Sequence, residues 1–126
     1  MRGIVLVLAA AIAVLMVSAP AVAHHGTAAF DTAKTVTTTG TIVEFKFANP
    51  HVQLSWEVKN DKGEKDLWQG ELTAPNKLQR AGWTNQTLKP GDSVTVSGYA
   101  VKSGAHTMWI RKLIGPGGHE LPLFEE

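Results

Sequence analysis

Cysteine is missing from all 126 positions, which excludes disulfides, thiolate metal centres and a lipid anchor on cysteine. Packing alone must hold the fold. Excess charge of one sign is missing too: 12 Lys and Arg face 11 Asp and Glu, and setting aside Arg2 leaves 11 of each after residue 23. A polyanion calls for a basic face, and neither a Lys/Arg cluster nor an RNA-binding aromatic motif occurs, so no nucleic-acid partner is expected. Catalytic signatures are equally scarce. The chain has no Gly-x-Ser-x-Gly elbow and no phosphate-cradling Gly-rich loop, and His119-Glu120 runs on without the second His of a zinc helix. The acidic residues fall mostly on turns and outward positions, giving no reason to pair two as acid and base. The expectation is a protein that is not an enzyme.

Long apolar runs are confined to the start of the chain. Residues 4–17 carry no polar interruption, follow Arg2, and lead to Ala21-Val22-Ala23, the small residues a signal peptidase needs. Residues 1–23 therefore read as a signal peptide cleaved after Ala23, with the protein periplasmic or secreted and not stably inserted in a membrane after cleavage. The alternative, an uncleaved anchor, is weakened by Ser18 and Pro20. Cleavage leaves 103 residues, enough for one domain, and makes His24 the new terminus. Its α-amine and imidazole then lie side by side, with His25 next.

Residues 24–35 have no period and read as an extended arm. The segment 36–47 is rich in Thr, Val, Ile and Phe, with Val43, Phe45 and Phe47 alternating onto one face and Gly40 at a bulge or bend. The clearest alternation is in 51–59, where Val52, Leu54, Trp56 and Val58 face inward and Gln53, Ser55, Glu57 and Lys59 outward. Asn60-Asp61-Lys62-Gly63 turns the chain into a return strand carrying Leu67, Trp68 and Leu72. A short helix follows, with Thr73 as its cap, Pro75 in the first turn, Leu78 and Ala81 as the buried face and Gly82 at its end. A strand from Val94 to about residue 100 and another over 107–114 complete the pattern. In the last strand Met108 with Ile110, or Trp109 with Leu113, can face inward. Residues 115–126 read as a flexible tail.

This order predicts an all-β domain over 36–114. It is a five-stranded OB-fold-like Greek-key barrel, with a single short helix between strands 3 and 4 plugging one end. An open sandwich is the competing architecture.

Several motifs carry a resemblance: His24-His25, the 40–45 strand, Asn49-Pro50-His51, Trp56, Trp68, Ala74-Pro75 with Leu78, Arg80, Gly82 and Trp83, and Leu88-Lys89-Pro90-Gly91-Asp92. Together they resemble an uncharacterised family of short secreted bacterial proteins of unknown function, across most of 24–114. The resemblance implies an exported OB-like domain and transfers no catalytic residue.

In such a barrel the loop with Asn49 and His51 and the loop from Lys102 to His106 border the face used for ligands. These four residues and Trp83, expected to be partly exposed beside Gly82, are the candidate ligand contacts. His24, His25, His51 and His106 are candidate metal ligands, because imidazoles and a terminal amine favour copper(II), nickel(II) or zinc over oxygen-seeking ions. The same histidines have plainer uses, as hydrogen-bond partners of a turn or as a polar chain end. The expected function is an exported, noncatalytic module that binds a small ligand or an envelope protein. The alternatives are a periplasmic copper-binding protein that uses its terminal His, and an accessory subunit of an envelope complex.

Overall fold

The computed structural model describes residues 27–123. The leader expected at 1–23, and His24 and His25, lie outside the described residues. Six strands, β1 (Val36–Lys46), β2 (Gln53–Lys59), β3 (Lys65–Glu71), β4 (Ser93–Ala100), β5 (Thr107–Ile114) and β6 (Glu120–Leu121), form a single sheet. Their order is β3-β2-β1-β4-β5-β6, and β3 also pairs with β5. That last pairing is parallel and joins Gln69–Glu71 to Thr107–Trp109, closing the first five strands into a barrel. The long β1 makes closure possible. Its first half pairs with β4 and its second half with β2, and Thr41 has a partner in each. Strand order, the parallel closure and the helix α1 (Pro75–Arg80) between β3 and β4 define the OB-fold.

Gly40 stands where β1 changes partners. A Cβ there would fall on the carbonyl oxygen of Glu57, so only glycine lets β2 approach this closely. Of the bulge or bend expected at Gly40, the bulge lies instead at Val43. Ile42 stands opposite Trp56 and Glu44 opposite Ser55, leaving Val43 as the extra residue. An extra residue resets the two-residue alternation. Ile42 is buried and Phe45 packs on the core, while Val43, expected on the same face as Phe45, is 46% exposed.

A second irregularity resolves the ambiguous face of β5. Gly98 pairs with Ile110 and Ser97 with Lys112, so Arg111 is the extra residue. Met108 and Ile110 face inward before it and Leu113 after it, while Trp109 faces outward with Tyr99 at its ring edge.

The short helix starts after Ala74, which occupies the cap position expected for Thr73 and makes no side-chain cap bond. Pro75 begins it and Leu78, fully buried, carries its inner face into the core. Gly82, at φ +92°, ends it, and the Trp83 N–H returns to the Leu78 carbonyl at 3.1 Å.

The tail is docked as far as it is described. Pro116–Gly118 forms a 3-10 turn, β6 pairs with β5, and Leu121 and Leu123 pack on the core. The reason is that Gly117 and Gly118, at φ +79° and +81°, turn the chain back, where a flexible segment was expected. The arm is fastened as well: the Asp31 N–H donates to the Ala100 carbonyl at 2.8 Å and the Lys102 N–H to the Ala29 carbonyl at 3.0 Å. Phe30 bridges to Val101 and its ring meets Trp109 at 6.2 Å.

Candidate binding site

Because β2 alternates regularly, every second residue points away from the core, and the register aligns these outward side chains across strands. One row runs Glu44, Ser55, Gln69, Thr107 across β1, β2, β3 and β5, and the next runs Lys46, Gln53, Glu71 across the first three. The seven side chains line a single groove of about 140 Å³. Two amides, two hydroxyls, two carboxylates and an ammonium thus converge on it, all able to hydrogen-bond. Glu71 sits at its edge, where His51 Nδ1 lies 3.4 Å from Glu71 Oε2. Strand spacing places outward cross-strand neighbours about 4.5–5.5 Å apart, so a small molecule can touch several side chains of a row at once.

The residues expected to bind are distributed differently. His51 and Asn49 are exposed in the β1–β2 loop, His51 beside the groove and Asn49 outside its lining. His106 lies flat on Trp68, ring centroids 4.7 Å apart and planes 13° from parallel, and Trp68 in turn stacks on the buried Trp56. Trp68 faces the core side of β3 and Glu71 the outer side, so this strand holds His106 and His51 on opposite faces. They do not share a site as neighbours. Among the described residues no group of three His, Asp or Glu is placed to hold a metal ion. Lys102 lines a separate recess with Asp31, Lys34 and Val36.

Trp83 is a correction. It is only 2% exposed, its ring lies 6.1 Å from that of Phe45, and its Nε1 donates to the Pro122 carbonyl at 2.8 Å. The returning tail covers it and supplies the acceptor a buried indole N–H needs, so Trp83 is core and not a ligand contact.

Loop position and histidine content do not single out Glu44, Lys46, Gln53, Ser55, Gln69, Glu71 and Thr107. The signal was present in the outward Gln53 and Ser55, but reading the rows required the cross-strand register.

With the geometry in place, the chain can be set beside known proteins. The model of a family of unknown function, DUF6152, matches residues 11–109. The chain belongs to this family. No curated protein matches it in sequence. Among solved structures it is similar to the S. cerevisiae mitochondrial single-stranded DNA binding protein Rim1, at 17% identity and a TM-score of 0.44, covering 65% of this chain and 92% of that chain. The OB assignment of this DUF6152 member rests on its own strand order and barrel closure.

Proposed function

We propose that the chain is an exported, noncatalytic binding module whose ligand, a small molecule rich in hydroxyl or amide groups, lies across β1, β2, β3 and β5. The convergence of the two cross-strand rows on one groove carries this reading. Glu44 and Glu71 stand in different rows and two strands apart, which suits anchoring a ligand at two points better than paired acid–base chemistry. Two carboxylates against the single ammonium of Lys46 give no attraction for a polyanion, in keeping with a partner other than nucleic acid. Export is supported by the apolar run that ends in Ala21-Val22-Ala23.

Monosaccharides and dipeptides titrated into isotope-labelled protein provide the test by NMR. Saturable shifts centred on Gln53, Ser55, Gln69 and Thr107 are expected from at least one probe. Changing Gln53 and Gln69 together to Ala should weaken it roughly thirtyfold, for two lost hydrogen bonds of about 1 kcal/mol each. Failure of every probe to move these amides, or binding that survives the double substitution, overturns the reading.

A second reading, copper(II) binding at the processed terminus, is favoured by the way the arm is tied down. Ala29 and Asp31 are hydrogen-bonded to the β4–β5 loop region, and at most about 10 Å of extended chain separates His24 from Thr27. Chain length therefore does not keep the terminal amine and His24 imidazole from the barrel. An extra alanine before His24 converts the amine into an amide, a poor ligand. The processed protein is expected to bind copper(II) at least tenfold more tightly than the extended form in calorimetry, and equal affinities would remove this reading.

A further inference from the structure

A larger groove adjoins the polar one and is built quite differently. It holds about 530 Å³, within the range of roughly 300–1,000 Å³ typical of sites for small organic ligands. Phe30 of the arm forms one wall, and Val101 and Ala105 of the β4–β5 loop add apolar surface. Ser103 and Thr107 contribute hydroxyls. Among the described residues Glu71 is the single ionisable one in the lining, and both it and Thr107 also line the polar groove. Its Oε2 lies 3.4 Å from Nδ1 of the half-exposed His51.

We infer that this groove binds the apolar body of an organic monocation whose charge is held by Glu71. A carboxylate at the margin of apolar walls attracts a cation and repels an anion, and the low polarity beside it strengthens that preference. An ammonium placed against Glu71 can also donate to the Ser103 and Thr107 hydroxyls. The apolar chain attached to it removes surface from water against Phe30, Val101 and Ala105. A neutral analogue keeps the second contribution and loses the first; an anionic one meets repulsion. The site does not require the polar rows to be occupied.

Three six-carbon probes isolate the charge: n-hexylammonium, n-hexanol and hexanoate. NMR titration should show hexylammonium shifting the amides of Val101, Ser103, Ala105 and Thr107. It should bind about fivefold more tightly than hexanol, the scale of a partly exposed ion pair, with hexanoate weakest. Glu71→Gln should bring hexylammonium to the affinity of hexanol, whereas Phe30→Ala should weaken both. Binding of hexylammonium should persist in the protein with Gln53 and Gln69 both changed to Ala, so the two grooves succeed or fail separately. The inference is overturned if hexylammonium does not bind, if hexanol binds the unaltered protein as tightly as hexylammonium, or if the preference survives Glu71→Gln. Shifts centred away from these four amides overturn it equally. The preference among probes in the unaltered protein stands as a measurement even if a variant folds poorly.

Discussion

Replacing Trp56 with alanine is expected to lower the free energy of unfolding by about 3–5 kcal/mol. The side chain is 0% exposed and lies at the centre of the inward series of β2, between Leu54 and Val58. Its truncation removes a large apolar surface and leaves a cavity that the closed barrel can only partly fill. The stacking contact with Trp68 is lost with it, at a ring separation of 6.3 Å. So is the 2.9 Å hydrogen bond from Nε1 to Thr38 Oγ1, which ties β2 to the first half of β1. Urea denaturation followed by circular dichroism measures the effect as a lower midpoint at unchanged slope. A loss below about 1 kcal/mol would place Trp56 among surface positions and contradict its burial.

Gly40→Ala should cost about 3 kcal/mol, at the upper end of what overpacking imposes. The added methyl meets the Glu57 carbonyl, a backbone atom held in the sheet, so no side-chain rotation relieves the clash. Relief requires β1 and β2 to separate where β1 passes from one partner to the other. Gly63→Ala is the informative control. Gly63 has φ +78° and nothing within 4 Å of a built Cβ, so its replacement carries only the left-handed backbone penalty of about 1–2 kcal/mol. Thermal unfolding of both variants should rank Gly40→Ala as the more damaging. The reverse order would show that the strands can part at Gly40 without losing the barrel.

These two sites illustrate what could be read from the sequence. Trp56 belongs to an uninterrupted alternation, and periodicity alone placed it in the core. Gly40 was legible as a special position but not as the right kind. A bulge and a close backbone approach both select glycine, and only the partner strand distinguishes them. The actual bulge at Val43 left no mark, because valine is an ordinary strand residue and the displaced register depends on what lies opposite. Trp83 was misplaced for a related reason: its cover comes from Pro122, 39 residues away, in a segment whose glycines suggested looseness. Outside β6, which falls in the segment expected to be flexible, strand order and the helix position were legible from turn chemistry and pattern. The polar groove was not, since its members come from four strands and become neighbours only through pairing.

The parallel joint between β3 and β5 is only three residue pairs long, whereas the long β1 shares pairings with both β2 and β4. It is the thin seam of the cylinder, and both grooves lie across it through Glu71 and Thr107. A molecule seated in either groove would lie against both lips of that seam. It would act as a clasp, making occupancy and closure one coupled equilibrium. The place where the cylinder is least secured by its own backbone is thus the place where a guest contributes most to keeping it shut.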